Sequence, residues 1–209
     1  MKGLLLKDFY MAKKYCKFYA LIALVFCAVS FLSSTSQFFI FYPCILSGLL
    51  PVTLLGYDER SKWDLYAGTL PYTKAQLVSC KYLLGLIAQL SIFLLIGIAQ
   101  AVNLSYRGLF SWQRFSVLLS MLLILSFVSS SITLPPMFRW GVEKGRIAYY
   151  VMIGVICGGS IAAANLFRFS LEVEVSWNIP LLVLCAVAII LYALSWYLSI
   201  VFYRKREMK

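Results

Sequence analysis

Charge-free apolar runs close to the length of a bilayer crossing recur along the chain, over residues 18–33, 38–55, 82–102, 115–134, 147–167 and 179–203. A helix needs about 20 mostly apolar residues to cross about 30 Å of hydrocarbon, so each run predicts a transmembrane helix. The first is short unless its helix starts among the lysines before it, and the SSTSQ stretch that follows predicts a tight turn into the second. Pro43 and Pro51 predict kinks in the second span, whereas Pro180 falls in the first turn of the sixth, where proline is tolerated. The expected fold class is an all-α membrane protein of six transmembrane helices, forming one domain over residues 1–209.

The polar segments between the runs are patterned. On a helix of about 100° per residue, Lys2, Lys7, Lys13, Lys14 and Lys17 fall within an arc of roughly 140°. Leu4, Leu5, Phe9, Met11, Ala12, Tyr15, Cys16 and Phe18 occupy the opposite half. Residues 1–17 are therefore predicted to form an amphipathic interfacial helix, with its lysines toward anionic head groups. Such a helix either anchors the chain or couples the first span to something that moves in the cytoplasm. Residues 57–81, YDERSKWDLYAGTLPYTKAQLVSCK, are too long for a mere connection. Trp63, Tyr66, Ala67 and Leu70 form a stripe at i, i+3, i+4 and i+7, on a short helix whose start the acidic pair Asp58 and Glu59 marks. Pro71 stops that helix, and Thr73 with Gln76 matches a capping box that restarts a helix into the third span. The stripe either rests on the membrane or docks a cytoplasmic partner. Residues 135–146 form the second loop of the same kind.

Charge orients the chain. Of the 19 Lys and Arg residues, all but Arg107, Arg114 and Arg168 lie before span one, between spans two and three, between spans four and five, or after span six. By the positive-inside rule both termini are cytoplasmic, and the net charge of +11 reflects topology rather than an affinity for nucleic acid. With 62% of residues hydrophobic and 13% charged, the composition departs from the roughly 45–50% and 25% of soluble domains. The chain has no histidine, which excludes histidine-ligated haem, HExxH zinc sites and Ser-His-Asp hydrolases; no metal site is expected. The 6 cysteines show no disulfide-framework spacing, and Cys27 and Cys157 read as packing residues. No cleavable leader is expected, since no small-residue cleavage site follows the first span.

The spans carry no Asp, Glu, Lys or Arg, which disfavours ion-coupled carriers, and no inverted repeat is visible. Gln89, Gln100, Asn103 and Asn165 either hydrogen-bond between helices or meet a substrate. Gly154, Gly158 and Gly159, followed by Ala162 to Ala164, give the fifth span a small-residue face. That face fits either a helix of the same chain or a dimer seam.

The start MKGLLLKDFY, the loop with DER, then LP, then TKAQLVSCKYL, and FRWGVEKGR before span five resemble bacterial ABC transporter permeases of the type-2 export class. The likeness is greatest to the compact six-span permeases that include exporters of phenol-soluble modulins. In such permeases the first cytoplasmic loop is a coupling helix seated on the ATP-binding subunit. The resemblance places that role on Asp58, Glu59, Arg60, Trp63, Asp64 and Tyr66, with a smaller contact from the second loop through Arg139 and Glu143. It implies a multi-pass protein of the bacterial cytoplasmic membrane that pairs with a second copy or a close relative. ATP and Mg would be bound by the separate cytoplasmic subunit, with no cofactor in this chain, which lacks GxxxxGK(S/T) and is expected not to be an enzyme. The implied cargo, moved outward, is amphipathic or hydrophobic: a peptide or toxin, a lipid or a drug. Larger members of the class carry an external domain between spans five and six; here only FRFSLEVEVSWN is available, enough for a short strand or re-entrant turn.

Two rival classes fit less well. The substrate-binding membrane component of energy-coupling-factor importers also has six spans, but its small-xxx-small pattern on span one is poorly matched by Ala20 with Leu24 and Ala23 with Cys27. A membrane enzyme would need an intramembrane cluster of acid, base or nucleophile, which the runs lack.

Overall fold

The computed structural model describes residues 2–15, 17–32, 38–108, 110–147, 150–151 and 178–205. Every regular element among them is helical: α1 (Lys2–Tyr15), α2 (Lys17–Leu32), α3 (Phe38–Arg60), α4 (Trp63–Ala67), α5 (Lys74–Tyr106), α6 (Trp112–Trp140) and α7 (Asn178–Lys205). A further helical turn covers residues 142–147. The SSTSQ turn, most of the fifth predicted span with Gly154, Gly158, Gly159 and Asn165, and the FRFSLEVEVSW stretch lie outside the described residues.

Among the described residues, three helices are long and apolar enough to cross a membrane: α5, α6 from Phe115 onward, and α7 from Val183 onward. At 1.5 Å per residue, the 33 residues of α5 extend about 50 Å, well beyond the hydrocarbon core of about 30 Å. The surplus is the polar first turns, Lys74 to Lys81, which project past the apolar zone and carry charge there. The chain's outer faces are correspondingly apolar. Val183, Val187, Ile190, Leu194 and Tyr197 all stand exposed along α7.

Helix α6 packs most extensively on α7, and α3 fills the angle between α5 and α6. A core of Val52, Val78, Tyr82, Leu134, Met137, Phe138, Tyr192 and Tyr203 joins α3, α5, α6 and α7. Tyr82 is its centre: the ring stacks on Trp196 at 5.6 Å and meets Tyr192 edge-on at 5.4 Å, while its hydroxyl bonds to Ser195 and Ser199. A tyrosine is tolerated there because both its body and its hydroxyl find partners. Gln89 bonds across to α6, donating to the Ser130 hydroxyl and, at 3.3 Å, to the Ser126 carbonyl, as expected of an interhelical polar residue. Asn103 accepts from Arg107, the residue that caps the end of α5, at 2.8 Å.

Helix α3 runs continuously from Phe38 to Arg60 with Pro43 and Pro51 inside it. Pro51 is wedged against α5, where a side chain at Gly85 would place its Cβ 2.6 Å from the proline ring; only glycine admits this approach. Residues 135–140, expected to open a loop, instead continue α6 as far as Trp140 through Pro135 and Pro136. Pro135 cannot donate to the Ser131 carbonyl, and the Ser195 hydroxyl of α7 does so instead at 2.9 Å. The neighbouring helix thus supplies the bond that proline removes.

Candidate functional site

Residues 2–15 of the predicted interfacial helix form α1. Not all of its lysines face outward. Lys7, Asp8, Asp58 and Lys81 form a ring of alternating charge where α1, the end of α3 and the base of α5 meet. Lys7 Nζ lies 2.5 Å from Asp58 and 3.3 Å from Asp8, and Lys81 Nζ lies 2.8 Å from Asp8 and 2.5 Å from Asp58. Asp8, Asp58 and Lys81 are buried, and Lys7 is partly exposed. The Cys80 thiol adds a contact to Asp8 at 3.5 Å. Two positive and two negative charges cancel, and each lysine serves both carboxylates. Burial of so much charge is sustainable only in such a fully paired arrangement.

Asp58 and Glu59 do not begin the short helix; they occupy the last turn of α3. Carboxylates are unfavourable at a helix C-terminus, where the carbonyl ends already concentrate negative potential. Here the lysines Lys7 and Lys81 neutralise Asp58, and Glu59 accepts a hydrogen bond from the Val142 amide at 2.8 Å. The chain then turns through Lys62, at φ +52°, into α4. The ammonium of Lys7 sits 3.9 Å over the Trp63 ring, so α4 starts pinned to the charge ring.

The expected stripe is shortened, since α4 spans Trp63–Ala67 only and Leu70 lies beyond it. Ala67 is buried, while Leu65 and Tyr66 are exposed. Asp64 lies within α4. The capping box is present as expected: Gln76 N–H donates to Thr73 Oγ1 and Thr73 N–H to Gln76 Oε1. Lys74 donates to the Arg204 carbonyl at 3.3 Å, which brings the end of α7 to the same face.

The second polar segment is built on Gly141, whose φ of +84° and ψ of 171° end α6 in a conformation open essentially to glycine alone. The turn over 142–147 that follows folds back toward α3, and the Glu59 bond fastens it there. Between the two segments lies a groove of about 480 Å³, lined by Thr53, Gly56, Tyr57, Glu59 and Arg60 of α3 and by Trp140, Val142, Glu143, Lys144 and Arg146. The residues assigned to coupling therefore divide. Asp58, Trp63 and Tyr66 belong to the charge ring and α4, Glu59 bridges the segments, and Arg60 and Glu143 border the groove. Arg139 turns away, its guanidinium over Trp140 and Phe202.

Sequence reasoning passed over Asp8 and treated Lys7 and Lys81 as topological charge. No group of His, Cys, Asp or Glu suited to a metal ion occurs among the described residues. The charge ring ties α1, α3 and α5 together beneath an exposed short helix.

A family model described as ABC-2 family transporter protein matches residues 3–204. No curated protein and no solved structure gives a significant match to the chain.

Proposed function

We propose, since the chain belongs to the ABC-2 family of transporter proteins, that it is the permease of an outward-directed transporter driven by a separate ATP-binding subunit. The observation that carries the coupling assignment is the charge ring of Lys7, Asp8, Asp58 and Lys81, because it joins the two cytoplasmic ends of α3 and α5 to α1 while α4 stays at the surface. A push on Leu65 and Tyr66 would be delivered through Trp63 and the ring to helices that run into the membrane. Closure of the ATPase pair would supply that push, with ATP and Mg held by the partner and no catalytic part for this chain.

In this reading the chain crosses the bilayer six times with both termini in the cytoplasm of a bacterium, and two such chains, identical or related, frame the path. The small residues Gly154, Gly158 and Gly159 suit the seam between them. An amphipathic or hydrophobic cargo fits spans without ionisable groups, and the resemblance to exporters of phenol-soluble modulins favours a peptide.

Reconstitution with the ATPase subunit tests the assignment. Trp63→Ala and Glu59→Lys should each abolish transport-linked ATP hydrolysis while membrane insertion stays at the wild-type level. Full stimulation of the ATPase by either variant would remove α4 and its Glu59 brace from the coupling route.

A further inference from the structure

The groove between the two segments is not part of the coupling route through α4. Arg60, Lys144 and Arg146 all line that groove and are solvent-exposed. Among the described residues no carboxylate lies within ion-pair distance of any of the three. Arg146 leans across toward α3, its guanidinium 4.0 Å from where a Cβ on Gly56 would stand. Two carboxylates share the lining, but Glu59 is engaged by the Val142 amide, and Glu143 is exposed at the rim. The lining therefore sets three cations against two carboxylates and keeps a net excess of one positive charge.

Depth distinguishes what could enter. Thr53 lies seven residues before Arg60 on α3, about 10 Å along the helix axis toward its apolar end. The groove runs from cations at the aqueous surface to the level of Thr53 and the half-exposed Trp140 ring. A cytoplasmic protein segment would meet only the outer end of such a groove. A lipid whose headgroup lies against the cations and whose chains leave toward the bilayer would fill both ends. The volume of about 480 Å³ falls within the range of about 300–1,000 Å³ usual for small-ligand sites.

We infer that this groove binds the phosphate-bearing headgroup of an anionic phospholipid of the inner leaflet, held by Arg60, Lys144 and Arg146 between the two cytoplasmic segments. Basic recesses between helices on the cytoplasmic side suit such headgroups, because the anionic leaflet supplies the counter-charge. The bound lipid would then brace the second segment against α3 alongside the Glu59 bond.

Native mass spectrometry of the full chain tests this, with protein extracted into mixed micelles of phosphatidylglycerol and phosphatidylcholine in equal amounts. The expected result is preferential retention of phosphatidylglycerol, reduced about fivefold by each of Arg60→Gln, Lys144→Gln and Arg146→Gln. Lys205→Gln, a cation outside the groove, should leave retention unchanged. Equal retention of the two lipids, or undiminished phosphatidylglycerol in the triple variant, overturns the proposal. A separate arm adds inorganic phosphate to lipid-free micelles: an adduct as stable as the lipid one would show a free-anion site and sink the lipid assignment. Repeating the measurement on the complex with its ATPase decides the remaining case. Loss of the lipid there, with dissociation of the subunit in the triple variant, would give the groove to the protein partner.

Discussion

On the helical wheel of α1, Asp8 stands in the middle of the apolar half, between Leu4 and Ala12 and opposite the lysine arc. That placement is a signal: an acid on a buried face needs cations, and Lys7 and Lys81 supply them. The signal is legible once the wheel is drawn with Asp8 on it, but the partner is not, because Lys81 is 73 residues away and no local rule links them. The ring also explains why such charges are kept, since a paired set holds three elements in one register. Asp8→Asn would leave Lys81 with a single carboxylate in a buried position. Breaking a buried pair typically costs about 3–5 kcal/mol, so this variant should lower unfolding stability by that order. Asp8→Asn combined with Lys81→Gln should cost less than the two single changes together, because the shared contact can be lost only once. Strictly additive losses in unfolding of the purified protein would show that the two residues do not act as one unit.

At the scale of elements, the strongest sequence signals were those with a local cause. The Thr73 and Gln76 box started α5 where its side chains dictate, and the apolar runs became helices over the described residues. Elements whose bounds depend on tertiary partners differed from expectation. Asp58 and Glu59 close α3 instead of opening α4, since Lys7, Lys81 and the Val142 amide compensate their position. Pro135 remains inside α6 with its freed Ser131 carbonyl satisfied by α7. Gly141 determines whether the turn over 142–147 reaches Glu59 at all. Alanine at 141 is strained in that backbone conformation by about 1–3 kcal/mol. Gly141→Ala should therefore speed hydrogen exchange of the Val142 amide by about tenfold or more, while amides in the middle of α6 keep their protection. If Val142 stayed equally protected, the Glu59 bond would be setting the turn without help from the glycine.

For the whole molecule, orientation follows from where the helices overrun the bilayer. The charged overhang of α5 at Lys74 to Lys81 joins α1, α3 and the end of α7, which puts the charge ring and α4 on one side. Tyr106, at the far end of α5, is 90% exposed and lies on the other. The proposed topology puts the first side in the cytoplasm, on the rule that lysine and arginine are retained there during insertion. Packing and charge are independent routes to one arrangement, and a labelling experiment can separate them. In a background without native cysteines, Tyr66→Cys should react with a membrane-impermeant maleimide only in inside-out vesicles, and Tyr106→Cys only in intact cells. Labelling of both from the same side would break the span of α5, whereas an exact reversal would keep the packing and reject the charge rule. The first outcome would undo the membrane reading of α5. The second would leave the charge ring intact but move α4 away from any cytoplasmic ATPase, so the coupling proposal depends on this orientation as much as on the ring itself.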